Sequence, residues 1–380
     1  MSEAMIMLAD TTVGDAEIAA VTEVLRSRWL SAGPVTRSFE LEFAAALGVG
    51  DAVAVSSGTA ALHLAMLSLD LRPGDQVIVP SLTFVAGAAV VALHGATPVF
   101  ADVRSADDLT IDPADVARLL NPAVRAVVAT HYAGRAADLT ALRDLLAGTP
   151  VALVEDAAHA PVVAHPAGAL GTVGDVGCFS FFATKNLTTG EGGMVVAADP
   201  GRLARIRRLR SHSLTRATWE RSTDAVASYD VDDVGLNYRP TEIASAIGRV
   251  QLGRLPDERR RRAALAARYR AGLGDVPGLG LPGTAAQPDE AHHLFPVLLP
   301  DGADRDAFRA ALWRNRVQTS VHYQPIHHMS LYRRRYRSTG RPLPVLDALA
   351  GRLVSLPLHA LLSDADADHV VHAVRAALTA

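Results

Sequence analysis

From residue 52 onward the chain alternates short apolar runs with amphipathic stretches, and this alternation restricts the fold more than any other feature. The apolar runs fall at 52–55, 76–79, 97–101, 126–130 and 151–155. Helical patterns lie between them. In 59–69, Leu62, Ala65, Met66 and Leu69 recur at i, i+3, i+4 and i+7, the spacing of one helix face. Strand–helix–strand repeats of this kind build right-handed crossovers and a mostly parallel sheet covered by helices. The spacing predicts further strands at 176–181 and 193–196. The class is therefore α/β.

A chain of 380 residues exceeds one typical domain. We expect residues 1–250 to form an N-terminal segment and a large domain, and 251–380 a linking helix and a smaller α+β domain. The pattern predicts helices at 15–29, with Asp15 as cap and Ile18, Val21 and Leu25 on one face, and at 35–47. A basic helix is expected at 201–210, and a long helix from near Thr241 to about Leu273, broken near Pro256. Between them, 211–233 is polar, without a clear period, and long for a loop. The Gly- and Pro-rich stretch 277–288 marks a boundary, followed by a strand at 292–299 and helices at 304–314 and 364–378.

Hydrophobic residues are 49% and charged residues 20% of the chain, which suits a globular protein with a sizeable core. A formal net charge of −3 gives no long-range attraction to nucleic acid or to an anionic membrane, and neither is expected as a partner. Residues 1–10 carry no signal-peptide pattern. The apolar stretch 85–100 is interrupted by His94, Gly95 and Pro98, too often to span a bilayer. Cys178 is the only cysteine, which excludes an internal disulfide and a cysteine-based zinc site. A cytoplasmic protein is expected.

Of the 37 basic residues, Lys185 is the one lysine and the other 36 are arginine. Arginine does not lose its proton and form an imine with an aldehyde, as an amine does. The one position that carries an amine is thus a candidate for amine chemistry, against the alternative of a surface lysine. Three local patterns bear on the choice. Ser56-Ser-Gly-Thr-Ala-Ala61 joins a strand to a helix N-terminus, suited either to a phosphate or to simple capping. Val151-Ala-Leu-Val-Glu-Asp-Ala-Ala-His159 ends a buried strand in an acid, at the edge where open α/β sheets bind ligands. There Asp156 suits either a protonated ring nitrogen or a helix cap, and His159 either a ring contact or a core role. Phe179-Ser-Phe-Phe-Ala-Thr-Lys-Asn186 then delivers Ser180 and Lys185, the latter 29 residues after Asp156, into a turn followed by Gly190-Glu-Gly-Gly193.

These motifs resemble the DegT/DnrJ/StrS family of sugar aminotransferases, which depend on pyridoxal 5′-phosphate (PLP) and share fold type I. The resemblance runs nearly end to end and includes Ser57-Gly-Thr-Ala-Ala-Leu62, Val79-Pro-Ser-Leu-Thr-Phe84, Glu155-Asp-Ala-Ala-His159, 180–185, Glu191-Gly-Gly193, Gly235-Leu-Asn-Tyr-Arg239 and Leu356-Pro-Leu-His359. It implies a large domain with a seven-stranded-type sheet and a smaller C-terminal domain. It implies Lys185 as the Schiff-base lysine, Asp156 as partner of the pyridine nitrogen and His159 beside the ring oxygen. Phe84 would stack on the ring, and Gly58, Thr59, Ala60 and Ser180 would surround the phosphate. Asn237 would reach the phosphate of a neighbouring subunit, so the working unit would be a homodimer. Trp29, Tyr238, His322 and Tyr323 would face substrate. The implied reaction is a ping-pong transfer of an amino group from an amino donor, glutamate, to a keto-sugar on a nucleotide, the cofactor cycling between PLP and its pyridoxamine form (PMP).

The chain departs from many relatives at Arg28, where glycine precedes the tryptophan, and in the length of 211–234. Both departures bear on the substrate. Two alternatives keep the fold: a PLP-dependent sugar dehydratase, in which histidine replaces the lysine, and a non-catalytic sensor. The retained Lys185 and Asp156 argue against both. The run Arg259–Arg262 follows Asp257-Glu258 on a helix and reads as a solvated face. No metal is expected: His322, His327 and His328 fit no standard ligand spacing, and no acid or thiol lies near them in sequence.

Overall fold

The structure is a computed structural model that describes residues 4–216, 219, 228–285, 287, 289–336 and 341–379. Its central sheet contains β1 (Val53–Val55), β2 (Gln76–Pro80), β3 (Thr97–Ala101), β4 (Val124–Thr130), β5 (Ala152–Asp156), β6 (Val176–Ser180) and β7 (Gly193–Ala197). The order across the sheet is β1-β7-β6-β5-β4-β2-β3. β7 runs antiparallel to both β1 and β6, and the other pairs are parallel. Nearly every strand position is buried. Strands covered on both faces carry continuous apolar runs, which is why they are readable from sequence.

Helices Gly58–Ser68, Pro200–Leu209, Ala86–Leu93 and Pro34–Leu47 cover the sheet. On Pro34–Leu47, Phe39 and Phe43 pack on Phe179 and Phe181, with ring centroids 5.0 to 5.5 Å apart across the helix–sheet contact. Side chains alternate along a strand, so Ser180 between them points to the opposite face. The same helix carries Glu40, which is buried and accepts bonds from Ala54 N (3.0 Å), Arg210 (2.6 Å) and Arg207 (2.6 Å). Burial pushes the Glu40 carboxyl up, but the two guanidinium groups outweigh it and hold it below its usual range.

A second, antiparallel sheet pairs β8 (Phe295–Leu298) with β9 (Leu353–Leu356). Its core contains Tyr269 and Leu273 of the long helix Glu242–Leu273, with Val297, Leu312, Val354 and Val374. Ile6 joins this body: its N–H donates to Arg316 O and its carbonyl accepts from Gln318 N. No described helix is long and apolar enough to cross a membrane.

Several sequence expectations are corrected. The first helix is Asp15–Ser27, with Gly14 at its N-cap and Glu17 accepting the Gly14 N–H, so Asp15 is its first residue and not its cap. Ile18 and Leu25 are exposed, whereas Glu17 and Val24 are buried. Gln251 (2.9 Å) and Arg254 (3.2 Å) on the long helix hold Glu17, and this polar anchor sets which face turns inward. The long helix does not break at Pro256. It is pinned on either side, by Arg254 to Glu17 and by Arg259 to Asp289, which offsets the hydrogen bond a helical proline removes. β9 was not expected, since four residues are too few to show a period. In the polar 211–233 stretch, bridges Ser211↔Asn237 and Leu214↔Val231 pair the two ends. Residues 217, 218 and 220–227 lie outside the described residues.

Glu40→Ala removes the acceptor that offsets the buried Arg210 guanidinium. We expect a loss of about 3–5 kcal/mol in unfolding free energy, measured by urea denaturation, whereas exchange of the exposed Glu23 leaves it nearly unchanged.

Candidate active site

The carboxyl ends of the parallel strands open into a cavity of about 460 Å3. Open α/β sheets place ligands at this edge because helix N-termini and strand ends converge there. Gly58 and Thr59 enter from the turn after β1, Phe84 from the turn after β2, Asp156 and His159 from the end of β5, and Ser180 and Lys185 from the end of β6 and the turn beyond.

The helix Gly58–Ser68 begins at the cavity wall, with Ser57 Oγ accepting from Ala60 N at 3.1 Å. A Cβ on Gly58 would lie 2.7 Å from Ser180 Cβ and 3.2 Å from its Cα. Glycine is therefore required for the helix start to touch Ser180. The first N–H groups of a helix have no partner within it, so the hydroxyls of Thr59 and Ser180 and these donors form a cradle for an anion.

Lys185 opens on the cavity, yet protein surrounds its amine closely. Burial pushes the amine down from its ordinary value to about 8, with the Asp156 carboxylate opposing. At pH 7 about a tenth of such amines are unprotonated, against far fewer than one in a thousand for a free lysine. Asp156 is buried. Burial pushes its carboxyl up, and the Ala158 N–H (3.1 Å) and the Lys185 charge hold it back.

Around this pair lies a set of neutral rings. His159 Nε2 pairs with Tyr323 Oη at 2.9 Å, while His159 Nδ1 is buried without a partner among the described residues. The His293 ring packs against His159 at 4.4 Å, and His293 Nδ1 pairs with Asn186 Oδ1 at 2.9 Å. Burial pushes both imidazoles well down, with Lys185 adding to the effect. His322 Nδ1 pairs with Ser355 Oγ at 3.0 Å, and burial lowers that imidazole to about 4.

Of the residues singled out from sequence, Gly58, Thr59, Phe84, Asp156, His159, Ser180, Lys185, His322 and Tyr323 all line the cavity. Ala60 does not. It is buried behind the wall, where its N–H meets the Ser57 cap. Within one chain, Trp29, Asn237 and Tyr238 are not brought to it either. Trp29 packs edge-on against Trp219 at 4.7 Å, Asn237 is exposed at its bridge with Ser211, and the Tyr238 hydroxyl pairs with His63 Nδ1 at 2.9 Å. The sequence reading missed His293, Thr83, Thr130 and the N-terminal Leu8 and Ala9. The pair His292-His293 ahead of a strand was a signal for the first; the others carried none. The histidines 322, 327 and 328 are also separated: His322 is in the cavity, and His327 and His328 lie outside it with Asp347, 19 and 20 residues further on. The expectation that no acid joins them is corrected.

A mostly parallel sheet with an anion cradle, a buried acid and a lowered amine at one edge defines an α/β enzyme with the fold of type I PLP-dependent aminotransferases. Residues 11–375 match the DegT/DnrJ/EryC1/StrS aminotransferase family, and the chain belongs to it. It is 38% identical to a dTDP-4-dehydro-2,3,6-trideoxy-D-glucose 4-aminotransferase of Saccharopolyspora spinosa, over 95% of this chain and 94% of that one. Among solved structures it is similar to the aminotransferase TlmJ of Streptoalloteichus hindustanus, with a TM-score of 0.91, 39% identity and 99% of each chain covered. It is also similar to the putative sugar aminotransferase Spr1654 of Streptococcus pneumoniae, solved in a PLP-form, with a TM-score of 0.90, 26% identity, and 98–99% of each chain covered across its PLP- and PMP-forms.

Two outcomes follow from the geometry. Gly58→Ala forces the helix start away from Ser180, and we expect about 1–3 kcal/mol less stability, read as a lower urea midpoint. In the apo-protein, acylation of Lys185 by an amine-directed reagent should rise with pH around a midpoint near 8, because only the unprotonated amine reacts. Peptide mapping separates it from the α-amino group, and a midpoint near 10.5 would contradict the burial described.

Proposed function

We propose that this aminotransferase moves an amino group from an amino acid, glutamate, to a keto-sugar carried on a nucleotide, with PLP held at Lys185. The observation that carries this reading is the only lysine of the chain, its amine lowered to about 8, in one cavity with the buried Asp156. The residues fit the cofactor. Gly58, Thr59 and Ser180 supply donors for a phosphate, and His159 Nδ1 is a buried polar atom without a partner among the described residues. When bound, PLP supplies an electron sink for negative charge at the donor Cα.

The protein's own part is to hold and move protons. Asp156 keeps a proton on the ring nitrogen, favoured by its burial away from competing water. Lys185 Nζ would take the proton from the donor Cα and give it to the cofactor carbon on the other side of the transferred nitrogen. A group with a pKa near the working pH does both steps well, which a lysine at 10.5 would not. His159 and Phe84 line the same cavity and would hold the ring, His159 towards its oxygen and Phe84 against its face. Burial lowers the His159, His293 and His322 imidazoles, so these three stay neutral beside Lys185. The keto-sugar takes the amino group in a second half-reaction of the same site, a ping-pong sequence. We further propose that two copies pair, with Asn237, exposed in one chain, reaching the phosphate held by the other.

The absorbance spectrum before and after adding glutamate tests this reading. We expect a visible band that glutamate bleaches and a keto-sugar nucleotide restores. Lys185→Arg keeps the charge but should lower turnover by about 10^2–10^4-fold or to below what the assay detects. A protein that shows no band after incubation with PLP would remove the proposal. A band that persists in glutamate would move the amino donor to another amino acid.

A further inference from the structure

We propose that His327, His328 and Asp347 form a binding site for a divalent transition-metal ion, with Zn2+ as the expected occupant. The three ligands come from two segments, the turn Ile326–His328 and the helix Pro344–Ala350. His327 Nε2 and His328 Nε2 lie 2.9 and 2.8 Å from the same Asp347 oxygen, Oδ1. The candidate ligand atoms of all three all lie within 4.8 Å of one another. Two imidazole nitrogens and one carboxylate oxygen are the ligand types that Zn2+ takes.

The surroundings orient these atoms as a metal site requires. His327 Nδ1 pairs with Ser81 Oγ at 2.6 Å, which fixes the ring and turns Nε2 outward to Asp347. Asp347 Oδ2 accepts the Leu343 N–H at 3.1 Å, which leaves Oδ1 as the converging oxygen. Asp102 accepts the N–H groups of Val345 (3.0 Å) and Leu346 (2.9 Å) and so holds the helix that presents Asp347. Hydrogen-bonded partners behind metal ligands serve to lock ring and carboxylate orientation.

The size is also right. Ligands about 2.0–2.1 Å from a tetrahedral zinc stand about 3.3 Å apart. The present separations of 2.8 and 2.9 Å need to open by only about half an ångström. His328 and Asp347 are exposed, so they are free to make that shift. Their exposure also leaves the fourth coordination position to water.

Without an ion, the same atoms make a hydrogen-bonded latch in which both Nε2–H groups donate to Asp347. The two states differ in what the atoms bind and by that small opening between them. In either, the turn reaches the loop after β2: Ile326 N donates to Ser81 O at 3.0 Å and His327 N to Ser81 Oγ at 3.2 Å. That loop carries Phe84 into the cavity. A bound ion therefore braces the active-site wall from outside and takes no part in the reaction. The inference does not rest on the proposed substrates.

Equilibrium dialysis of the metal-stripped full chain against Zn2+ tests it. We expect one Zn2+ per chain and a raised Tm. His328→Gln and Asp347→Asn should each weaken binding at least about tenfold, while transamination persists. His372→Gln, which changes a surface histidine whose Nδ1 pairs with the Asp368 carbonyl, should bind as the wild type does. Co2+ in place of Zn2+ should give the intense visible absorption of a tetrahedral site, absent in His328→Gln. If the wild type retains no more Zn2+ than His328→Gln, the site is a hydrogen-bonded latch only and the proposal is overturned.

Discussion

The buried carboxylate of Glu155 is the interaction on which the active-site edge depends. Glu155 and Asp156 are consecutive on β5, so their side chains leave the sheet on opposite faces. Glu155 turns away from the cavity and accepts the N–H groups of Gly171 (2.8 Å), Val173 (2.7 Å) and Gly174 (2.6 Å), with His131 Nε2 at 2.9 Å. Burial alone would push this carboxyl up, but the His131 bond and the backbone amides outweigh it and hold it low. Those amides belong to the turn that leads into β6. Fixing the turn fixes the pairing of β6 with β5, where Asp156 lies opposite Cys178. Ser180 and then Lys185 follow from that register.

Packing completes what the hydrogen bonds begin. Phe179 and Phe181 face Phe39 and Phe43, so the face of β6 that carries Ser180 turns towards the helix Gly58–Ser68. A shift of one residue would exchange the two faces and put a phenyl ring into the anion cradle. Gly193 is bound by the same constraint, since a Cβ there would lie 2.6 Å from Ser57 O and 2.7 Å from Phe179 O. Core and site are thus one arrangement read from two sides.

The parts of this arrangement that were legible from sequence are those with a local signature. The seven central strands read as apolar runs because both faces are buried. The Ser57-Gly58-Thr59 turn, Asp156 and Lys185 read from residue type at strand ends. What did not read depends on partners far along the chain. The buried face of the first helix follows from Gln251 and Arg254 holding Glu17, and an amphipathic pattern alone pointed to Ile18 and Leu25. Tyr238 is tied to His63 and Trp29 to Trp219, contacts that no spacing announces. Asp347 approaches His327 and His328 only because a separate helix folds back on the turn.

The distribution of basic residues gives the single lysine its meaning. Arginine meets carboxylates with two parallel bonds, as Arg205 does at Asp70 through Nη1 and Nη2 and Arg268 at Asp368 through Nε and Nη2. It also spans carbonyls inside the protein, as the buried Arg262 does at Leu358 O. A lysine ammonium offers neither geometry and is more strongly hydrated. Such sites therefore select guanidinium on structural grounds. At Lys185 the selection runs the other way. A guanidinium confined beside Asp156 would keep its proton throughout the working pH range, whereas burial brings the amine to about 8, where it both holds and releases one. The residue that structure alone does not favour is the one the cavity is built to perturb.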